Sequence, residues 1–363
     1  MDKIKVMNII SDRNFGGAGR YLLDICEYIN KDRFEIIVVI PRDSIMRGHM
    51  ERYEDIEIIE VEGIGDRSFT IKGVIELYSL MKKIQIDIVH CHACLSGRIA
   101  AYLSKIKGTI YTKHTLTNCK SSVKRYVNKT INNIVKNDAI AVSKAVYNNL
   151  IKCKENEDRI HLIYNGVDLP SKILDGKILR SKYGLSSKDI IITLIGRLES
   201  IKGQEHLLNI TKLLKGRAGN LQIVLVGEGS TREKLESRIY KENLPVKMLG
   251  HINDINQIYR LTDIVVNTSN SEAISFSILE GFSHQKPVVA FNIDGIKEVV
   301  DNGVNGYLID FQDYDEFADK LIRLINNKDL RDSFGKAGLK KVKERFLVED
   351  MIRQIEDLYG GLS

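Results

Sequence analysis

Short, almost wholly apolar runs alternate with amphipathic segments along the whole chain, and that alternation admits few folds. IKVMNII (4–10), FEIIVVI (34–40), IDIVHC (86–91), GTIYTKH (108–114) and DAIAVS (138–143) are separated by helix-like stretches such as RYLLDICEYIN (20–30). Strands without polar alternation are buried on both faces, which is the signature of parallel βαβ units. The same grammar restarts in the second half with IIITLIG (190–196), LQIVLVG (221–227), DIVVNTS (263–269) and PVVAF (287–291). Helices are predicted from Gln204, over 231–242 and from about Ser275. Between the halves, IYNGVDLPSKILDG (163–176) carries an Asn-Gly turn, Pro170 and Gly176 in a polar stretch. The chain therefore predicts two doubly wound α/β domains, 1–168 and 169 onward, and 363 residues suffice for two cores.

Composition narrows the function. No apolar run approaches the ~18 residues of a membrane span, and MDKIKVMNII lacks the core of a signal peptide, so cytoplasmic residence is expected. Five cysteines, an odd number spread widely, predict reduced thiols and no disulfide framework. HCHAC (90–94) offers a C-x-x-C pair with His90 and His92, yet no second ligand pair stands at matching spacing, so no metal is expected. Net charge is +6, and no acidic residue lies between Asp87 and Asp138, where nine Lys and Arg do. In KSSVKRYVNKTINNIVK (120–136), Val123, Val127, Ile131 and Ile134 share one predicted helical side, with Arg125, Lys129 and Lys136 opposite. An ordinary surface helix and an anionic-membrane contact both fit that pattern, whereas no nucleic-acid motif accompanies it.

Ligands of parallel α/β sheets bind beyond the strand carboxyl ends, where helix N-termini attract anions. The informative residues are thus those just after strands. NFGGAGR (14–20) opens the first helix, and Gly16 and Gly17 would let backbone amides approach a phosphate, although structural turns use such glycines equally. His92 and His114 end two strands. GRLESIKGQ (196–204) sets Arg197 and Lys202 on a loop feeding a helix, a pair of cations suited to a diphosphate. In SEAISFSILEGF (271–282), Glu272 belongs to a strand-to-helix loop and Glu280 to the helix, and carboxylates accept hydrogen bonds from sugar hydroxyls.

These pieces in this order resemble the retaining glycosyltransferases of sequence family 4, across nearly the whole chain. FGGAGRYLLDI, DIVHCH, YTKH, AVSKAV, IYNGVD, GRLESIKGQEHLL, LVGEGSTREKLE, LGHINDINQIY and the E-x7-E segment with KPVVAFNIDGIKEVVDNGVNGYLI carry the resemblance. It implies the GT-B fold, two Rossmann-like domains facing across a cleft. It also implies a donor domain over 169–345 and a final helix, 346–363, crossing back to the first domain. A nucleotide-sugar donor is implied, a UDP-sugar ahead of GDP-mannose, with no metal and no other cofactor. Arg197 and Lys202 would grip its diphosphate, helped by backbone at Gly16, Gly17, Ser277, Ile278 and Leu279. Glu280 would bind ribose, Glu272 the transferred hexose, His114 would lie beside that sugar, and His251 with Gly227 to Gly229 and Gly250 would line the base. The acceptor would be a glycan or lipid-linked hydroxyl, in cell-surface polysaccharide or glycolipid assembly.

Two positions depart from the family pattern. Ala273 follows Glu272 where a glycine is common, and Gln285 stands at another usual glycine. Altered donor fit is the expectation. A non-catalytic partner of another transferase and a sugar-nucleotide epimerase remain as alternatives. DYD (313–315) mimics the D-x-D of metal-dependent transferases, but it opens DEFADKLIRLI and is expected to cap a helix.

Overall fold

The computed structural model describes residues 3–65, 67–117, 122–170 and 176–363, with the side chains at 122–125, 127, 128 and 177 outside that description. It divides into two compact units, 1–165 with 348–363, and 166–347. Residues 166–168 join the second unit because Val167 pairs with Leu347, its N–H bonding Phe346 O at 2.9 Å.

The first unit is built on a parallel sheet of strands β1 (Ile4–Ile10), β2 (Phe34–Pro41), β3 (Glu57–Val61), β4 (Ile88–His92), β5 (Gly108–Lys113), β6 (Asp138–Ala141) and β7 (Ile160–Leu162). Their order is β3-β2-β1-β4-β5-β6-β7. The chain moves outward from β1 in one direction and from β4 in the other. The crevice beyond the carboxyl ends of β1 and β4 is therefore the switch point where such sheets bind ligands. Strands β1, β2 and β4 are buried along most of their length, as their unbroken apolar character requires.

The last helix, Val348–Leu362, packs on this first unit. Met351, Ile355 and Tyr359 are buried, Tyr359 stands edge-on to Phe34 at 5.7 Å, and Glu356 accepts the N–H of Asn30 at 2.7 Å. The returning helix is thus anchored by an apolar stripe and by a carboxylate on the end of the first helix, Gly17–Tyr28.

The second unit repeats the plan with β8 (Ile190–Ile195), β9 (Leu221–Val226), β10 (Val246–Met248), β11 (Ile264–Asn267), β12 (Val288–Phe291) and β13 (Gly306–Ile309), all parallel, in the order β10-β9-β8-β11-β12-β13. Its switch point lies between β8 and β11. One face is filled by residues such as Leu207, Phe291, Phe317 and Leu321, all fully buried.

Candidate active site

In the second unit the loop leaving β8 folds back on the end of β11. Gly203 takes φ +67°, and a Cβ there would lie 1.9 Å from Thr268 O, so only glycine permits the approach. Thr268 Oγ1 donates to Gly203 O at 2.8 Å, and Gln204 Nε2 donates to Arg197 O at 2.8 Å. This bracing holds the loop over the switch point. Arg197 is exposed, and among the described residues its guanidinium makes no hydrogen bond or ion pair. Lys202 Nζ meets Glu272 Oε1 at 2.7 Å, the carboxylate's side chain being only 9% exposed.

From that ion pair a hydrogen-bonded chain runs into the next helix. Ser269 Oγ donates to the same Glu272 oxygen at 2.8 Å, and Asn267 Oδ1 accepts Ser269 N–H at 3.0 Å. Asn267 Nδ2 donates to Ser275 Oγ at 3.1 Å, and Ser275 and Ser277 hydroxyls lie 3.0 Å apart. Glu280 Oε2 accepts the hydroxyl of fully buried Tyr259 at 2.8 Å. Ser275 precedes the helix Phe276–Ser283 and its side chain does not cap it. The first-turn amides of Phe276, Ser277 and Ile278 therefore retain anion-binding capacity.

The ends of β9 and β10 interlock with the arginine loop. A Cβ on Gly227, at φ +133°, would lie 2.1 Å from Gly196 O. Gly227 N–H bonds Gly250 O at 2.8 Å, and Leu198 N–H bonds Glu228 O at 2.8 Å. Exposed His251 follows Gly250 directly in the chain.

The first unit gathers three imidazoles at its own switch point. His92 Nδ1 lies 3.1 Å from His114 Nε2, and His92 Nε2 lies 3.3 Å from Asn8 Oδ1. His90 is held by Tyr359 OH and Thr112 Oγ1, both at 2.7 Å. Tyr21 packs edge-on to His114 at 5.0 Å. Burial lowers the pKa of His90 to about 3 and that of His92 well below the ordinary range. His114, partly exposed, is lowered by burial and then by the Lys113 charge. All three are neutral at pH 7, so His114 presents a neutral ring rather than a cation. Gly16 is extended at the N-cap of the first helix, with no side-chain cap, and leaves the amides from Gly17 onward for an anion.

Two family models match the chain: Glycosyltransferase Family 4 over residues 15–170, and Glycosyl transferases group 1 over residues 175–341. The chain belongs to glycosyltransferase family 4. It is 27% identical, over 98% of its length and 97% of the relative's, to the UDP-Gal:alpha-D-GlcNAc-diphosphoundecaprenol alpha-1,3-galactosyltransferase of Escherichia coli. It is 24% identical, over 91% of its length and 97% of the relative's, to the capsular polysaccharide biosynthesis glycosyltransferase CapM of Staphylococcus aureus. Its fold is that of GT-B glycosyltransferases. HepE of Anabaena, solved with UDP and glucose, aligns with a TM-score of 0.86 at 24% identity, covering 99% of this chain and 100% of that one. TarM of S. aureus aligns with a TM-score of 0.77 at 15% identity, covering 99% and 100%.

For this family 4 glycosyltransferase the structure corrects several expectations. Leu279 cannot offer a free amide, because its N–H bonds Ser275 O at 3.2 Å and its side chain is fully buried. The open amides end at Ile278. Gln285 sits at the far end of the helix Phe276–Ser283, exposed, at φ +55°, the left-handed conformation that favours glycine just past a helix C-terminus. Ala273 is buried with an ordinary negative φ, so the backbone there does not demand glycine. Asp313 does cap a helix, accepting Glu316 N–H at 2.9 Å. Of the predicted apolar side, Ile134 is 51% exposed, while Val135 next to it is buried. Val123, Val127 and Arg125 have side chains outside the described residues. Cys153 is disulfide-bonded, against the expectation of five free thiols. Cys91 and Cys94 are free and buried, and burial raises both pKa values, Cys94 to about 11, so both are inert packing residues.

Sequence reasoning missed Asn267, Ser269 and Tyr259, and the side-chain hydrogen bond of Ser275. The polar run after β11 was the available signal for Asn267, Ser269 and Ser275. Tyr259 gave none, since its hydroxyl reaches Glu280 across 21 residues.

Proposed function

We propose that this glycosyltransferase is a retaining, metal-independent hexosyltransferase. It moves a sugar from a UDP-sugar to a hydroxyl of a glycan or lipid-linked acceptor in cell-surface polysaccharide or glycolipid assembly. The observation that carries the reading is the placing of exposed Arg197, whose guanidinium has no partner among the described residues, on the same loop as Lys202 of the Lys202–Glu272 pair, at the switch point of the second unit. The relatives' names supply the choice of UDP and of a lipid diphosphate or capsular glycan as the acceptor's class.

Breaking the anomeric bond sends its electron pair to the diphosphate oxygen and leaves positive charge on the sugar. Arg197, Lys202 and the amides of 276–278 stabilise the departing charge, an electrostatic contribution that grows as the bond lengthens. Glu280, oriented by Tyr259, accepts from ribose hydroxyls, and Glu272 accepts from hydroxyls of the transferred sugar. The base lies beside His251. At the first unit's own switch point His114 offers a neutral ring nitrogen, and Gly16 and Gly17 open a helix whose first amides suit an anion. The acceptor hydroxyl attacks from the face the diphosphate leaves, and its proton passes to that diphosphate, so the anomeric configuration is kept without a glycosyl-enzyme ester.

Incubation of the purified protein with a panel of UDP-sugars, GDP-mannose and simple acceptors tests this. The expected outcome is transfer from a UDP-sugar with retained anomeric configuration by NMR, undiminished by EDTA. An inverted product, or a strict requirement for a divalent cation, contradicts the mechanism. Epimerised donor in the absence of acceptor contradicts the transferase reading itself.

A further inference from the structure

Asn270 is an exposed residue, yet its amide is tied at both ends. Its Nδ2 donates to Ser200 O at 2.9 Å, and its backbone N–H donates to Ile201 O at 2.8 Å. Those carbonyls belong to the residues immediately before Lys202. At the other end Asn270 Oδ1 lies 2.9 Å from His206 Nε2, and His206 Nδ1 lies 2.7 Å from Tyr314 OH. A carbonyl accepts and never donates, so Nδ2 and not Oδ1 must face Ser200. Oδ1 then faces His206, whose Nε2 must carry a hydrogen, and in the neutral ring Nδ1 accepts the Tyr314 hydroxyl. The direction of the whole chain, from Tyr314 through His206 and Asn270 to Ser200, is thereby fixed.

Hydrogen-bond satisfaction does not account for this arrangement. Ser200 O already accepts Gly203 N–H at 3.2 Å, and Ser200 is itself exposed, so water can serve that carbonyl. What the amide adds is orientation. Holding an exposed side chain in one rotamer costs entropy, which its two hydrogen bonds offset. The ring of His206 is fixed in turn: it projects from the first turn of the helix Gln204–Leu214, and Phe291 and Phe311 stand edge-on to it, each at 5.6 Å. The brace therefore reaches from the ends of β12 and β13 to the turn that carries Lys202. Asn270 also follows Ser269, which donates to Glu272 at 2.8 Å. One residue thus belongs to the loop of the carboxylate and holds the turn of the ammonium.

We propose that Asn270 is a positioning residue for Lys202, and that His206, backed by Tyr314, sets the orientation of its amide. The clamp keeps the turn Ser200–Lys202 in one place, so the ammonium is held at a fixed distance from Glu272 and from a diphosphate bound at the switch point. The diphosphate half of this statement rests on the donor reading above, while the coupling of Asn270 to Lys202 stands apart from it.

Double-mutant cycles test the proposal. Asn270→Ala, and His206→Phe, which keeps an aromatic ring without its nitrogens, should each weaken UDP binding and slow single-turnover transfer roughly three- to tenfold. Placed on Lys202→Ala, neither should cost more than about a further twofold, because the group they position is gone. His206→Gln, whose amide can still donate to Asn270, should stay within about twofold of wild type. Asn270→Ala that matches wild type, or His206→Gln as impaired as His206→Phe, would overturn the proposal. So would losses that multiply in full with that of Lys202→Ala, which would give these residues a general structural role. The same cycle is read without donor by urea unfolding, where Asn270→Ala should lower the midpoint less in Lys202→Ala than in the wild-type protein. Additive losses there contradict the positioning role even in a protein that binds no UDP. Non-additive unfolding with UDP binding untouched by Lys202→Ala would support it and contradict the donor reading instead.

Discussion

Lys202 Nζ lies 2.7 Å from Glu272 Oε1, although the two are seventy residues apart and leave different strands of one sheet. The carboxylate is nearly buried and the ammonium is 27% exposed, so each compensates the other's desolvation. In the absence of donor the lysine neutralises Glu272, and a bound diphosphate would compete for it.

Lys202→Ala should therefore cost stability as well as activity. It leaves the Glu272 carboxylate with Ser269 as its close donor, a loss of about 2 to 3 kcal/mol. Lys202→Ala combined with Glu272→Gln should recover much of that. Urea unfolding followed by circular dichroism measures both. A single variant as stable as wild type would show that the pair contributes nothing structural.

The buried histidines set the acid limit of the first unit. His90 is lowered from 6.5 to about 3, and His92 and His114 are lowered as well. Below pH 6.5 the unfolded chain takes up protons that the folded state refuses. The stability is fully present above 6.5 and drains as pH falls toward the folded pKa, by about 1.4 kcal/mol per pH unit for each such histidine. Unfolding free energies from pH 7.5 to 5 should show that slope, and His90→Asn should flatten it. A flat profile in the wild-type protein would contradict the burial of these rings as neutral groups.

Much of this fold was legible in the sequence, because parallel strands must be apolar throughout and their helices must be amphipathic. The strand ends then pointed to Arg197, Lys202, Glu272 and His114. What stayed hidden depends on contacts between distant segments. The His90–Tyr359 hydrogen bond spans 269 residues and fixes the returning helix through one hydroxyl, which no local pattern encodes. The Asn267–Ser275 bond was invisible for another reason: strand-end polar residues look alike until the loop geometry chooses among them.

Gln285 offers a prediction of the opposite sign. A non-glycine residue at φ +55° carries a left-handed penalty, and its position is fixed by the helix Lys328–Arg345, where a Cβ on Gly335 would lie 1.9 Å from Gln285 O. Gln285→Gly should stabilise the protein by about 1 kcal/mol and leave turnover unchanged, since the site lies at the helix's other end. A loss of transfer activity in a stable Gln285→Gly protein would place this residue in donor binding after all.

The central claim is that two cations of the second unit neutralise the diphosphate as it departs. UDP affinity by calorimetry, with single-turnover transfer rates, should be measured for Arg197→Ala, Lys202→Ala and the double variant. Each single change should slow transfer by roughly ten- to a hundredfold, and the double variant should lose detectable UDP binding. A double variant that binds UDP and transfers sugar at the wild-type rate would contradict the account.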